Sequence, residues 1–199
     1  MSKKNHAEII CVLDRSGSMT SIASDAIGGF NTFIEDQKKV PGTASVSLVL
    51  FDHEYLNIYE NKNINEVEEL TDKTFVPRGM TALLDAVGRT INAVGERLSK
   101  TLEEDRPEKV MVCILTDGFE NQSKEFTKDK IKEMIIHQRE KYSWEFAFLG
   151  ANQDAFAEAG AMGISQVYTS NFLATGEGTR SAYNCMGKMS SSYRTGQNN

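Results

Sequence analysis

Five oxygen-bearing side chains stand in three separated segments of the chain, with types and spacing that suit a divalent cation. They are, in chain order, Asp14, Ser16, Ser18, Thr81 and Asp117. The alternation of Asp14, Ser16 and Ser18 places three side-chain oxygens on one side of an extended turn. Carboxylate and hydroxyl oxygens are donors that Mg²⁺ and Mn²⁺ prefer, whereas Zn²⁺ favours nitrogen and sulfur. These residues therefore predict a site for one Mg²⁺ or Mn²⁺ ion.

The coordination that these side chains offer leaves room for a further ligand. Mg²⁺ takes six oxygens at about 2.1 Å and tends to keep some of its water. Two carboxylates and three hydroxyls cannot all bind it directly without crowding a partner, so some are expected to act through water. The sequence leaves open which ones do so. The first predicted helix begins just past Ser18, and the positive end of its dipole would also favour an anion there.

Predicted strands and helices place the three segments at the same edge of a sheet, where its strands have their carboxyl ends. Uninterrupted apolar runs predict buried strands at Glu8–Leu13 and Lys109–Leu115. A helix from about Ser21 ends before Pro41, and the clearest helical periodicity begins at Leu84. In open parallel sheets, ligands bind beyond the carboxyl ends of the strands. The aspartates that directly follow the two buried strands are therefore expected to meet.

The remaining elements complete an α/β pattern. Ala44–Phe51 and Glu54–Tyr59 lie two residues apart and predict an antiparallel hairpin at a sheet edge. The others are a helix at Thr127–Lys141 with Thr127 as its N-cap, a strand at Trp144–Leu149, a helix at Asp154–Met162, a last strand at Gln166–Tyr168 and a helix at Thr179–Tyr193. The expected fold class is α/β: a Rossmann-like, doubly wound, mostly parallel sheet with one antiparallel edge strand and helices on both faces. Residues 1–199 are expected to form one domain, with a core at about 7–170 and a C-terminal helix and frayed tail at 171–199.

The three segments and their order resemble the von Willebrand factor type A (VWA) family. The metal-ion-dependent adhesion site of that family has an Asp-x-Ser-x-Ser run, a distant Thr and a Thr-Asp-Gly run. The likeness covers roughly Ala7 to Tyr168, and all five candidate ligands match. It implies a Rossmann-like fold, one Mg²⁺ or Mn²⁺, and a non-catalytic role in binding other proteins. It also implies that an Asp or Glu of the partner protein completes the coordination shell.

Two other functions compete with this interpretation. A Mg²⁺-dependent phosphohydrolase on a similar α/β fold is the alternative, since such enzymes also use an aspartate after the first strand. The haloacid-dehalogenase-like family needs Asp-x-Asp there, and Ser16 occupies the place of the second acid. A dinucleotide-binding domain is disfavoured because the loop has Gly17 alone instead of Gly-x-Gly-x-x-Gly.

Other side chains near the three segments are interpreted mainly as structural. Asp52 and His53 are predicted to be hairpin turn residues, and Glu120 a surface charge. Asp85, one helical turn after the distant threonine, is expected to be a solvated or hydrogen-bonded helix residue. Phe119, just beyond the third segment, is a candidate for an apolar rim of the site.

Composition excludes some partners and suggests a compartment. The 28 acidic and 22 basic residues give a net charge of −6, which argues against nucleic-acid binding. The longest apolar runs, Ile9–Leu13 and Val110–Leu115, are too short to span a membrane, and no signal peptide is recognised at the start. The three cysteines have neither metal nor redox spacing and predict free thiols, so a cytoplasmic location is expected.

Overall fold

A six-stranded sheet with the strand order β3-β2-β1-β4-β5-β6 forms the centre of the structure. The computed structural model describes residues 3–151 and 154–196. The strands are β1 (Lys3–Asp14), β2 (Thr43–Phe51), β3 (Tyr55–Asn63), β4 (Pro107–Thr116), β5 (Glu145–Ala151) and β6 (Thr169–Phe172). The helices are α1 (Ala23–Lys38), α2 (Leu83–Lys100), α3 (Lys128–Tyr142), α4 (Ala155–Ala161) and α5 (Gly176–Thr195).

The pairing of the strands confirms the predicted fold class. All neighbouring strands are parallel except β2 and β3, which form the predicted antiparallel hairpin at one edge. The chain starts in the middle of the sheet, builds outward through β2 and β3, and then returns to β4 on the other side of β1. The strand order therefore reverses between β1 and β4, and ligands of open α/β sheets bind at such a point.

Side chains of β1 show why a strand without polar alternation lies at the centre. Ile9, Cys11 and Leu13 pack on one side in the core shared with α1 and α5. Ile10 and Val12 pack on the other side in the core shared with α2, α3 and α4. Successive strand residues point to opposite faces, so a strand covered by helices on both faces is apolar at most of its buried positions.

The C-terminal third contains the main differences from the predicted elements. Residues Gln166–Tyr168 form a 3₁₀ turn instead of the predicted last strand, and the strand is the following segment, β6. Thr169 is the first residue of β6 to pair with β5, opposite Phe148, so β6 begins there. Arg194, predicted to fray, belongs to α5, and its guanidinium donates to the carbonyl of Gln37 at 2.6 Å. The end of the predicted frayed tail, 197–199, lies outside the described residues. Within 3–151 and 154–196, no helix combines the length and the apolar character needed to cross a membrane.

Candidate metal centre

The carboxyl ends of β1 and β4 bring the first and third segments into contact. Asp14 is the last residue of β1, and Asp117 is the first residue after β4. The hydroxyl of Ser18 donates to Asp117 Oδ1 at 2.6 Å, and its oxygen lies 3.1 Å from that of Ser16. Side chains 99 positions apart in the sequence are thus joined by a direct hydrogen bond.

Thr81 reaches the same place from the start of α2. A Cβ atom built on Gly118 would lie 3.0 Å from Thr81 Oγ1, 3.4 Å from Ser18 Oγ and 3.7 Å from Asp14 Oδ2. Oxygens from all three segments therefore surround one small volume beside Gly118. A Cβ atom at this position would crowd Thr81 Oγ1 and would be in ordinary contact with the other two oxygens. The structure brings together all five side chains that the sequence singled out.

Burial makes the two carboxylates of this cluster costly to ionise. Asp14 has no exposed surface, and it accepts hydrogen bonds from the Ser16 N–H and the Thr116 hydroxyl, both at 2.6 Å. Burial raises the pKa of Asp14 to about 6, the charge of Asp117 contributes in the same direction, and the hydrogen bonds oppose this. Burial also raises the pKa of Asp117, against the hydrogen bond from Ser18. A cation bound between these carboxylates would favour their ionised forms.

The donor set fits a hard divalent cation. Its donors are two carboxylates and three hydroxyls, all of them oxygen. Within the described residues, no three His, Cys, Asp or Glu side chains gather as a metal-binding group. The cluster therefore depends on its hydroxyls as well as its carboxylates. Ser18 is the exposed member, so the cluster opens to solvent on that side.

The first α-helix begins slightly later than the sequence suggested. Ser18 lies within a 3₁₀ helix, Gly17–Ile22, and α1 begins only at Ala23. Residues 19–22 therefore lie between Ser18 and the amino end of α1. The attraction of an anion to that helix end stays a prediction, and it would be weaker than for a helix that begins directly after Ser18, because helix dipole effects fall off within the first turn.

Thr81 is held in place by the loop that follows β4. Its N–H donates to Asn121 Oδ1 at 3.0 Å, and the N–H of Asn121 donates back to the Thr81 carbonyl at 3.1 Å. Glu120, interpreted from the sequence as a surface charge, instead accepts from the N–H of Leu84 at 2.9 Å. The sequence gives no signal for this role of Asn121, because an amide in a polar loop has no spacing relation to Thr81.

Asp85, one helical turn after Thr81, also joins α2 to the loop that follows β4. Its carboxylate accepts from the backbone N–H groups of Lys124, Glu125 and Phe126 at 2.9, 2.9 and 3.0 Å. The expectation of a hydrogen-bonded helix residue is thereby confirmed. The loop after β4 and the first turns of α2 are joined at several points along their length. Thr81 and Asp117 consequently have a fixed relative position.

Asp52 supports the ligand loop from the opposite side and is more than a turn residue. It accepts from the N–H of Glu54 at 2.7 Å, as a hairpin turn residue would. Its side chain is, however, fully buried, with Oδ2 3.0 Å from the Nε atoms of both Arg15 and Arg78. The N–H of Arg78 donates to the Arg15 carbonyl at 2.8 Å. The prediction missed this role because a turn carboxylate is usually solvated, and only the sheet order places β2 beside β1.

No protein-family model matches this sequence, and no curated protein matches it either. Solved structures do resemble it. One is the proximal thread matrix protein 1 (PTMP1) from the mussel byssus with a zinc-occupied MIDAS motif, with a TM-score of 0.65 and 17% identity over 94% of this chain. The chain spans 46% of the length of that mussel protein.

Two further structures show the same likeness. The vWF domain of the type V pili tip protein Mfa5 from Porphyromonas gingivalis has a TM-score of 0.61 and 10% identity, covering 92% of this chain and 94% of that one. The manganese-loaded TRAP protein of Plasmodium vivax has a TM-score of 0.60 and 15% identity, covering 89% of this chain and 72% of that one. From its sheet topology and these likenesses, the chain has the fold of a von Willebrand factor type A domain.

Proposed function

We propose that this chain is a metal-dependent protein-binding module. A divalent cation, Mg²⁺ or Mn²⁺, would be held by Asp14, Ser16, Ser18, Thr81 and Asp117, and would bind an Asp or Glu side chain of a partner protein. The observation that carries the proposal is the convergence of these five side chains around Gly118. Metal-loaded relatives of the same fold, one with zinc and one with manganese, support it.

The residues of the cluster have separate roles in this proposal. Asp14 and Asp117 supply the negative charge that a dication needs, while the three hydroxyls supply neutral oxygens. When bound, the cation supplies a positive charge that attracts the partner's carboxylate. Ser18 marks the exposed side, from which that carboxylate would enter. The buried ion pair of Arg15 with Asp52 keeps the ligand loop in place.

The geometry supports binding over phosphoryl transfer. An aspartate nucleophile must reach a substrate from solvent, whereas Asp14 is fully buried and both of its oxygens already accept hydrogen bonds. Ser16 stands where a general acid would be needed and cannot serve as one at neutral pH. Mg²⁺-dependent release of phosphate from p-nitrophenyl phosphate would favour the enzyme instead.

Calorimetry with Mn²⁺ tests the metal-binding part of the proposal. One ion per chain is expected, and EDTA should lower the melting temperature without unfolding the protein, because the cores on both faces of the sheet consist of apolar side chains. At a free metal concentration of 100 times Kd the linkage is worth about 2.7 kcal/mol. For a chain of this size that corresponds to roughly 5–10 °C. Complete unfolding in EDTA at room temperature would contradict this prediction.

Asn121→Ala is expected to weaken Mn²⁺ binding about five- to tenfold while the ligands themselves remain. The variant removes the acceptor for the Thr81 N–H, and one such hydrogen bond is worth about 1 kcal/mol. Gln122→Ala is the matched control, because it removes an amide from the same loop but keeps the backbone bond to Glu120. Titration calorimetry compares the two variants. An equal loss of affinity in both would show that Asn121 has no specific part in positioning Thr81.

The cytoplasm is the compartment we propose. Cys11 and Cys113 are register partners on β1 and β4, and both are buried free thiols, which a reducing compartment preserves.

A further inference from the structure

We propose that Met80 and Phe119 form an apolar contact surface around the metal centre, and that it selects partners whose acidic residue is flanked by large apolar side chains. This inference rests on the proposed function and concerns the identity of the partner. Met80 is 55% exposed and Phe119 is 60% exposed. Single exposed apolar residues are common on protein surfaces, so the argument depends on where these two lie.

Both residues lie next to the candidate ligands along the chain. Met80 directly precedes Thr81, and Phe119 follows Asp117 with only Gly118 between them. A Cβ atom built on Gly118 would lie 3.0 Å from Thr81 Oγ1. The two exposed side chains therefore come from backbone segments that touch at the cluster itself.

The hydrogen bonds that hold Thr81 also join the two backbone segments that carry these residues. The reciprocal bonds between Thr81 and Asn121 span the gap between the segment of Met80 and the segment of Phe119. The backbone on both sides is thus preorganised, and a partner would not have to order it. A preorganised backbone favours affinity, because less conformational entropy is lost on binding.

A carboxylate bound at the centre would bring the residues on either side of it close to this surface. The residues on either side of a partner's acid have Cα atoms only about 3.8 Å from its own. When the acid reaches an ion among Ser18, Thr81 and Asp117, those neighbouring residues must lie over the exposed surface beside them. Apolar neighbours would bury their own apolar surface against Met80 and Phe119, which favours binding. Polar neighbours would lose contact with water there without a compensating apolar contact.

Further exposed apolar residues lie on both flanks of this surface. Leu173, the first residue after β6, and Phe156, near the start of α4, are exposed apolar residues at the same edge of the sheet. Neighbouring strands are about 4.8 Å apart and β6 is two strands from β4, so Leu173 lies roughly 10 Å to the side of the end of β4. On the other flank, Leu56 and Val76 are also exposed.

Capped pentapeptides provide the test. The probes are Gly-Leu-Asp-Leu-Gly, Gly-Ser-Asp-Ser-Gly and Gly-Leu-Asn-Leu-Gly, titrated into the Mn²⁺-loaded full chain and into the chain in EDTA. The Leu-flanked aspartate peptide is expected to bind at least about tenfold more tightly than the Ser-flanked one. The asparagine peptide, and every peptide in EDTA, should bind far more weakly.

Variants then locate the contact. Met80→Ser and Phe119→Ser should each reduce the preference for the Leu-flanked peptide, with Mn²⁺ affinity unchanged in a separate titration. Leu102→Ser and Val167→Ser are matched controls. Those residues are 66% and 72% exposed, but they lie near the amino ends of β4 and β6, away from the metal centre. All four positions are exposed, so the substitutions should not disturb folding.

Each outcome separates the inference from the proposed function. A chain that binds no Mn²⁺ would overturn both. Metal-dependent binding with equal affinity for the Leu- and Ser-flanked peptides would overturn the inference and leave the metal-dependent module in place. The same follows if Leu102→Ser alters the preference as much as Phe119→Ser does. Failure of the Leu-flanked peptide to bind at millimolar concentration would likewise overturn the inference.

Discussion

Asp14→Asn is expected to abolish Mn²⁺ binding and, in EDTA at pH 7.5, to make the protein more stable than the wild type. The amide keeps the shape of the side chain and removes the charge that a cation needs. Its oxygen can still accept from the Ser16 N–H, and its NH₂ can donate to the Thr116 hydroxyl, which then donates to the Gly118 carbonyl. A buried and uncompensated charge is thereby replaced by a satisfied neutral group.

The pH dependence gives the sign of this effect. Burial raises the pKa of Asp14 from 3.8 to about 6, so between these values the folded protein holds more protons than the unfolded chain. The free energy of unfolding of the metal-free wild type therefore falls as pH rises from about 4 to about 6. Above pH 6 the loss is about 3 kcal/mol. The asparagine variant escapes this loss. Its advantage should be largest above pH 6 and vanish near pH 4.

Urea denaturation in EDTA at pH 7.5 and pH 4, together with Mn²⁺ calorimetry, measures both parts. Asp72→Asn, at an exposed loop position, is the matched control and should change neither. Wild-type Mn²⁺ affinity in Asp14→Asn would place the cation elsewhere. A variant less stable than the wild type at pH 7.5 would show that its hydrogen bonds are not replaced as described.

The second large effect concerns the partner. Changing the partner's coordinating Asp or Glu to its amide is expected to weaken the complex by about 2–5 kcal/mol, as truncation of a buried charge pair does. That loss corresponds to about 30-fold or more in Kd. The reason is that the carboxylate would be the one partner group in direct contact with the dication. Free acetate should compete weakly for the same position.

A double-mutant cycle with Asp14→Asn tests whether the carboxylate acts through the metal. If it does, the amide partner and the Asp14→Asn chain should each lose the interaction, and combining them should cost little more. The control is the amide change at a neighbouring acidic residue of the partner. Additive losses, or a wild-type complex that forms equally well in EDTA, would be incompatible with metal-mediated binding.

Local patterns were sufficient for the parts of the site that lie at strand ends. Apolar runs identify β1 and β4 from the sequence, because a strand buried on both faces has few polar positions. The side chains that follow those strands must then lie at one edge. Asp14 and Asp117 could for this reason be paired across about a hundred residues of sequence. Thr81 followed from its place at the start of the clearest helix.

Patterns failed where the outcome depended on a neighbour that the local sequence does not specify. Gln166–Tyr168 has strand-forming residue types, yet the hydrogen-bonding edge of β5 is available only from Thr169 onward. The start of α1 was displaced for a similar reason, since Gly17–Ile22 winds into a tighter 3₁₀ turn between the site and the helix. Propensity fixes neither boundary, because tertiary contacts decide between closely similar local conformations.

The sequence by itself determined which oxygens could hold a cation and which strands carry them, since those properties belong to residue type and to periodicity. Only the tertiary structure decided what holds them in place. Asp52 becomes a buried partner of Arg15 because β2 pairs beside β1, and Asn121 meets Thr81 because β4 lies next to β1 on the other side. Such hydrogen bonds join residues about forty positions apart, and they exist only once the order of the strands in the sheet has brought those residues together.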